Sequence, residues 1–294
     1  MKPDARRPLF DLERQPPDAI AAFFAQIALA AGPAIMAVYS GECAVRSKID
    51  QSPVTLADEQ AEEIILGLLA DWASPMPVIA EEAAAKAGAV SAHSGQFILV
   101  DPLDGTREFV ARNGEFTVNI ALVRDTRVMA GAVYAPALNR LWFGGDRAFL
   151  CTAEPGGNLP APSLWRPIRV RRAPAALVAL ASRSHCDPAT EKFLAGLNVA
   201  ERRSAGSSLK FCAIAEGEAD VYPRFAPTME WDTAAGEAVL RAAGGTVRSV
   251  EGGRLRYAKT ESMLRNGGFI AWGDPDMADR ASALEKPNVN HVVT

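Results

Sequence analysis

The apolar run Phe97-Ile98-Leu99-Val100 stops abruptly in Asp101-Pro102-Leu103-Asp104-Gly105-Thr106. Four apolar residues bounded by a Pro- and Gly-containing segment read as a buried strand. Such a strand delivers two carboxylates, three residues apart, to the edge of a sheet. The pattern recurs: the strand-like Pro77-Val78-Ile79-Ala80 ends in Glu81-Glu82, and Asp232 follows Trp231 at the start of a helical stretch. Acids at the carboxyl ends of neighbouring strands converge on one crevice. Carboxylates within a few ångströms of one another repel, and some are forced to hold protons. A hard divalent cation removes that conflict, and magnesium prefers oxygen ligands while keeping positions for water and phosphate. Any one of these acids alone reads as a turn former or helix cap; their joint order points to a metal cluster.

Inside the 101–106 segment each residue has a physical use. Pro102 fixes one φ angle and stiffens the turn. Asp101 and Asp104 can then face one way, with the Leu103 carbonyl between them as a further ligand. Gly105 permits close approach of the backbone to a bound group. The N–H groups of Gly105 and Thr106 are placed to donate to a phosphate oxygen from the first turn of a following helix. Glu82, adjacent to Glu81 on an extended segment, is expected to point the opposite way.

The remaining sequence is mixed α and β, a layered sandwich in two halves. The first ~16 residues are polar and Pro-rich, expected to form a loose arm. From Pro17, Ile20, Phe23, Phe24, Ile27 and Ala31 repeat at helical spacing, and Gly32-Pro33 is expected to kink or end that helix. Thr55 and Asp58 resemble a capping box opening a helix with an apolar stripe through Ala61, Ile64, Ile65, Leu68, Leu69 and Trp72. Strands are expected at FTVNIALV, RVMAGAVYAP, RLWFGG and RAFLC, followed by a linker or long hairpin loop over 154–167. Beyond it, a strand at ALVALASRS precedes a helix capped by Asp187 with Pro188 in its first turn. Then come a helix over SSLKFCAIAEG, a strand through Tyr222, a helix over DTAAGEAVLRA closed near Gly244, and strands at TVRSV and FIAWG. The division expected is an arm at 1–16, an N-terminal half at 17–160 with most metal ligands, a C-terminal half at 161–285 with Asp232, and a frayed tail at 286–294.

Bulk properties exclude several classes. The 294 residues carry a net charge of −4 and no long Lys/Arg run, so a nucleic-acid polymer is not an expected partner. The N-terminus lacks the apolar core and small-residue cleavage site of a secretory leader. No apolar run approaches about 18 residues, so no spanning helix is expected. Cys43, Cys151, Cys186 and Cys212 lie far apart, without C-x-x-C spacing, and read as reduced thiols of a cytoplasmic protein. Arg166, Arg169, Arg171 and Arg172 form a basic cluster, read first as a solvated face and second as a peripheral contact with an anionic membrane such as the cytoplasmic face of an inner membrane.

The segments AEE (80–82), DPLDGT (101–106) and WDTAAG (231–236) resemble the three signatures of the inositol monophosphatase superfamily, which comprises magnesium-dependent, lithium-sensitive phosphomonoesterases. SKIDQSPVTLAD, ASRSH and the long GSSLKFCAIAEGEADVYPRFAPTMEWDTAAG are similar to its CysQ-type 3′(2′),5′-bisphosphate nucleotidase branch. The resemblance runs from about residue 17 to about 273. It implies an α+β fold, a layered α-β-α-β-α sandwich of the inositol monophosphatase and fructose bisphosphatase type. It further implies two or three magnesium ions held by Glu81, Asp101, Asp104, Asp232 and the Leu103 carbonyl. Asp50, near Thr106, would help to activate a water. Gly105 and Thr106 would meet the scissile phosphate, while Ser182, His185, Ser207, Lys210 and Arg224 would hold the nucleotide.

The implied reaction is metal-assisted hydrolysis of a phosphate monoester by direct attack of water. The implied substrate is 3′-phosphoadenosine 5′-phosphate, giving AMP and phosphate in sulfur assimilation. A second phosphate needs protein cations, for which Lys210 and Arg224 are the candidates. Without the resemblance, Lys210 reads as a solvated helix cation, Arg224 as a surface charge and His185 as a capping residue. The alternatives are an inositol monophosphatase or other sugar-phosphate phosphatase and, in a different class, a non-catalytic nucleotide- or metal-binding module. Monomer and homodimer both remain open.

Overall fold

The computed structural model describes residues 9–41, 45–47, 53–87, 95–182 and 187–284, with side chains for all of these except 45–47, 53–55, 182 and 282–284. The first half contains α1 (Pro17–Ser40), β1 (Val45–Ser47), β2 (Pro53–Thr55), α2 (Leu56–Trp72), β3 (Val78–Ala80), α3 (Glu81–Ala87), β4 (Gln96–Asp104) and α4 (Thr106–Val110). It continues through β5 (Thr117–Arg124), β6 (Arg127–Ala135), β7 (Arg140–Gly144), β8 (Ala148–Thr152) and β9 (Arg166–Ile168), a strand of the same sheet that lies past the expected boundary at 160. The second half contains β10 (Leu177–Ser182), α5 (Pro188–Ala195), β11 (Val199–Ala205), α6 (Leu209–Ala215), β12 (Val221–Arg224), β13 (Thr228–Met229) and α7 (Trp231–Ala242). It closes with β14 (Thr246–Ser249), β15 (Arg265–Asn266), β16 (Phe269–Trp272) and α8 (Pro275–Leu284).

These elements stack in five layers. Helices α1 and α2 cover one face of a seven-stranded sheet ordered β3-β4-β5-β6-β7-β8-β9. Helices α6 and α7 lie between its other face and a five-stranded sheet ordered β11-β10-β12-β16-β14, whose outer face packs on α5 and α8. The expected α-β-α-β-α sandwich is therefore what the chain forms. Period-two alternation builds it: Val118, Ile120 and Leu122 of β5 point into the core under α1 and α2, while Ala121 and Val123 point to α7. Of the segment 154–167, expected as a linker or long hairpin loop, residues up to 165 form the long hairpin connection between the antiparallel strands β8 and β9, and Arg166 and Pro167 begin β9.

Several local expectations change. Helix α1 does not end at Pro33 but runs on to Ser40. Proline lacks the N–H that would bond the Leu29 carbonyl; the Gly156 N–H, from the β8–β9 connection, fills that place at 2.8 Å. An 18-residue window in α1 reaches a mean hydropathy of 1.9, so the helix is long and apolar enough to span a membrane by that criterion, contrary to expectation. Its apolar face is spent on the core instead: Ile20, Phe24, Ile27 and Ile35 are buried against the sheet, each contributing about 2 kcal/mol. Residues 9–16 are tied down rather than loose. Leu12 is buried, Phe10 stacks on Phe23, and the Phe10 N–H donates to the Trp72 carbonyl. Cys151 and Cys212 are buried free thiols, and burial pushes the Cys151 thiol up to about 11. Residues 1–8, the tail 286–294, Cys43, Cys186 and the Thr55 side chain lie outside the described residues.

Half of the arginine cluster is neutralised. Arg171 makes a bidentate pair with the buried Asp220, both contacts at 2.7 Å. Arg166 and Arg140 converge on the Glu216 carboxylate at 2.5 Å each, and the Trp142 indole N–H donates to it at 2.9 Å. Glu216 follows α6, whereas its partners come from β7 and β9, so this site fastens the central helix layer to the large sheet. Glu216→Ala would strand two guanidinium groups, one of them more than half exposed and able to regain water. We expect a loss of about 2–3 kcal/mol in urea unfolding.

Candidate active site

The acids at the end of β4 share a face because the strand is bulged. Asp101 pairs with Asn119 of β5 and Asp104 with Thr117, so three steps along β4 match two along β5. In an unbroken strand, residues three apart point to opposite faces; the extra residue turns Asp104 back to the side of Asp101. Strand β3 runs parallel to β4 with Ala80 opposite Val100, which sets Glu81, the first residue of α3, beside Asp101. Glu81 and Glu82 thus open a helix rather than continue an extended end. Glu82 turns inward, and its N–H donates to Glu62 at 2.8 Å.

Asp232 enters from the opposite layer, in the first turn of α7. Gly236 lets α7 close on α6: a Cβ there would lie 2.4 Å from the Phe211 ring. Carboxylate oxygens of Asp101, Asp104 and Asp232 can all lie within 4.8 Å of one another. Burial, with the charges of Glu81, Asp104, Asp232 and Asp58, drives the Asp101 carboxyl well above the ordinary range. Burial and then Asp104 push Asp232 up to about 6. These are oxygen donors without nitrogen or sulfur among them, crowded enough to favour protonation, and they fit a hard divalent cation.

The three aspartates are held from behind. Asp104 Oδ2 accepts from Ser207 Oγ at 2.7 Å and Ser208 Oγ at 3.2 Å, with Asn119 Nδ2 at 3.5 Å. Thr117 completes the network, 2.5 Å from the Ser207 hydroxyl. Asp232 Oδ2 accepts from the Thr228 hydroxyl and from the Met229 N–H at 3.0 Å. The Leu103 N–H donates to Asp101 Oδ1 at 3.0 Å. Gly105 has φ 90°, and a Cβ on it would press to 3.0 Å from the Glu115 carbonyl, so the turn into α4 requires glycine.

Thr106 opens α4, with its hydroxyl 3.4 Å from the Leu103 carbonyl and 3.5 Å from Asp58 Oδ1. The carboxylate described beside Thr106 is therefore Asp58; Asp50 lies outside the described residues. Asp58 was legible only as a capping residue, yet it carried a second signal. It sits three and seven residues before Ala61 and Ile65, on the stripe that α2 buries, and is itself 2% exposed. An acid on an apolar stripe is costly unless it has a use. Asn119, Thr117, Ser208 and Thr228 carried no such mark, being ordinary polar residues in strands and turns.

The candidate nucleotide contacts differ among themselves. Lys210 is not a solvated helix cation: it is 2% exposed, with its ammonium donating to the carbonyls of Ser207 at 2.6 Å and Ala205 at 3.0 Å. Burial lowers it to about 8, opposed by Asp104 and assisted by Arg224. Ser207 takes φ 53° and gives its hydroxyl to Asp104. Arg224, at the end of β12, is half-buried and sits within the electrostatic reach of Asp104 and Asp232. Two cations therefore border the acid cluster on the side of the five-stranded sheet. His185 and the Ser182 side chain lie outside the described residues.

A five-layer sandwich with a carboxylate cluster at the bulged end of one of its strands defines the class: this chain belongs to the inositol monophosphatase family, whose profile matches residues 17–283. Enzymes of this family use a divalent metal. The chain is 44% identical over 244 residues to the 3′(2′),5′-bisphosphate nucleotidase CysQ of Escherichia coli K12, covering 82% of this chain and 95% of that protein. The Shigella flexneri protein of the same name is 45% identical over the same share. Among solved structures, CysQ from Bacteroides thetaiotaomicron is 40% identical with a TM-score of 0.71, over 87% of this chain and 96% of that one. An inositol monophosphatase from Thermotoga maritima, 22% identical with a TM-score of 0.70 over 89% of this chain and 94% of that one, shares the fold.

Proposed function

We propose that this chain is a magnesium-dependent 3′(2′),5′-bisphosphate nucleotidase that hydrolyses the 3′-phosphate of 3′-phosphoadenosine 5′-phosphate to AMP and phosphate. The observation that carries the reading is the pairing of two charge groups. The carboxylate cluster of Asp101, Asp104 and Asp232, with Glu81 beside it, is bordered by Lys210 and Arg224. One phosphate needs the first group and a second phosphate needs the other. The likeness to bacterial CysQ proteins over four-fifths of the chain supports the same substrate, and with it a place in sulfur assimilation.

Glu81, Asp101, Asp104, Asp232 and the Leu103 carbonyl would hold the metal. When bound, magnesium supplies a Lewis acid that neutralises the phosphate and lowers the pKa of an attacking water. The Thr106 hydroxyl, fixed between Asp58 and the Leu103 carbonyl, would orient an attacking water, whose proton would end on the Asp58 carboxylate. Gly105 and Thr106 present backbone N–H groups to the phosphate. Lys210 keeps one donor beyond its two carbonyl bonds and, with Arg224, faces the second phosphate. Ser182, Ser207 and His185 are assigned to the nucleotide on likeness alone.

A substrate panel tests the reading. With magnesium present, phosphate release from 3′-phosphoadenosine 5′-phosphate should exceed that from inositol 1-phosphate by about a hundredfold in kcat/KM, since buried cations left without a phosphate cost about 3 kcal/mol. Faster turnover of inositol 1-phosphate would make the chain an inositol phosphatase. Tight nucleotide or metal binding without release from any substrate would make it a binding module.

A further inference from the structure

We propose that Glu230 is a positioning residue for the metal site, acting through the strap of residues 257–266 to fix the carboxylate of Asp232. The inference rests on the reading of Asp232 as a metal ligand. Glu230 precedes α7 and is fully buried. Its Oε2 accepts the Ala258 N–H at 2.8 Å, and its Oε1 accepts the Lys259 N–H at 2.9 Å and the Lys259 ammonium at 3.3 Å. Its own N–H donates to the Leu264 carbonyl at 2.9 Å. One side chain and one backbone group thus bind both ends of the strap to the start of the helix that carries Asp232.

The strap needs this anchoring. Ala258, Met263 and Leu264 all have positive φ, at 68°, 51° and 59°, a conformation that side-chain-bearing residues adopt only when their surroundings impose it. Lys259 carries the connection on: its ammonium also donates to Asn266 Oδ1 at 2.6 Å, and Asn266 Nδ2 donates to Thr233 Oγ1 at 2.9 Å. Asn266 is fully buried and pairs with Thr228 across the short β13–β15 ladder. Thr228 and Met229 of that ladder are the two donors to Asp232 Oδ2. The connection therefore runs from Glu230 to the strap, from the strap to β13, and from β13 to the carboxylate. Groups that orient a ligand in this way affect metal affinity about 10- to 100-fold.

The test is manganese binding to the full-length, metal-depleted protein, read by the electron paramagnetic resonance of free Mn2+, alongside magnesium activation. Glu230→Gln keeps the shape but replaces one acceptor oxygen by a donor facing a donor. It should weaken Mn2+ binding about tenfold and raise the magnesium concentration for half-activation similarly, while the nucleotide KM at saturating magnesium stays within about twofold. Lys259→Met, at a partly exposed position, should give a smaller loss of about threefold in Mn2+ affinity and decides the matter if Glu230→Gln does not fold. Asp232→Asn is the control for the underlying reading: if it leaves Mn2+ binding intact, the metal assignment of Asp232 fails whatever the strap does. If Asp232→Asn abolishes binding at one site while each folded strap variant binds Mn2+ as wild type, with only its melting temperature lowered, the strap is structural and the proposal is overturned.

Discussion

Asp101→Asn is expected to abolish phosphate release, by about a thousandfold or more, while making the metal-free protein more stable. The two effects have one cause. Asp101 is 1% exposed and faces the charges of Glu81, Asp104, Asp232 and Asp58. Its carboxyl is held above the ordinary range, as is Asp232, which is pushed up to about 6. The folded state therefore binds more protons than the unfolded state from the usual aspartate range up through these raised values. By linkage, stability of the metal-free protein falls as pH rises through that window, because the cluster must ionise against its own repulsion. An amide cannot ionise, so the variant escapes part of this penalty, and its melting temperature at pH 8 should exceed that of wild type by about 2–4 °C for each kcal/mol relieved. Wild type should recover stability on adding magnesium and the variant should not. Calorimetry at pH 5 and pH 8, with and without magnesium, measures both. Normal activity in Asp101→Asn would sink the metal assignment; a lower melting temperature at pH 8 would mean that the carboxylate is a structural partner.

Asp58→Asn should lower kcat by about a hundredfold to a thousandfold, within the span of a lost general base, with nucleotide KM changed no more than a few-fold. The basis is geometric: Asp58 Oδ1 lies 3.5 Å from the Thr106 hydroxyl, which also lies 3.4 Å from the Leu103 carbonyl. Asn keeps the shape and one acceptor but cannot take a proton. Thr106→Val should reproduce most of the loss, and the double variant should cost little more than either alone, since residues acting as a unit are not additive. Asp50→Asn is the comparison, because the sequence resemblance placed that role at Asp50. The larger fall in kcat is expected at Asp58; the reverse order would return the role to Asp50.

Much of the site was legible before any coordinates. Asp101, Asp104 and Asp232 stand out because acids directly after buried strands or at helix starts need an electrostatic reason. Local chemistry also announced the Asp187 cap, whose side chain accepts from the Thr190 N–H at 2.8 Å, and the left-handed Gly244 after α7. Strand β11 was not legible, because it is an edge strand with a mostly exposed, charged surface and no alternation to read. The two-residue strands β13 and β15 were equally silent, although they hold Asp232 in place.

The sequence by itself determined the layered class, the acids at strand and helix ends, and the resemblance that points to a metal as their partner. Those features are written in neighbouring residues: periodicity, turn chemistry and the spacing of carboxylates. Tertiary structure alone brings Asp58 beside Thr106, since the two lie 48 residues apart and meet only when α2 packs over β4. It also decided that Lys210 is buried with two carbonyl partners instead of solvated, and that Glu230 is a strap anchor instead of one more helix-start acid. A side chain's role as ligand, base or brace depends on which remote groups share its buried volume, and that sharing is settled by packing between layers, not by the chain's local pattern.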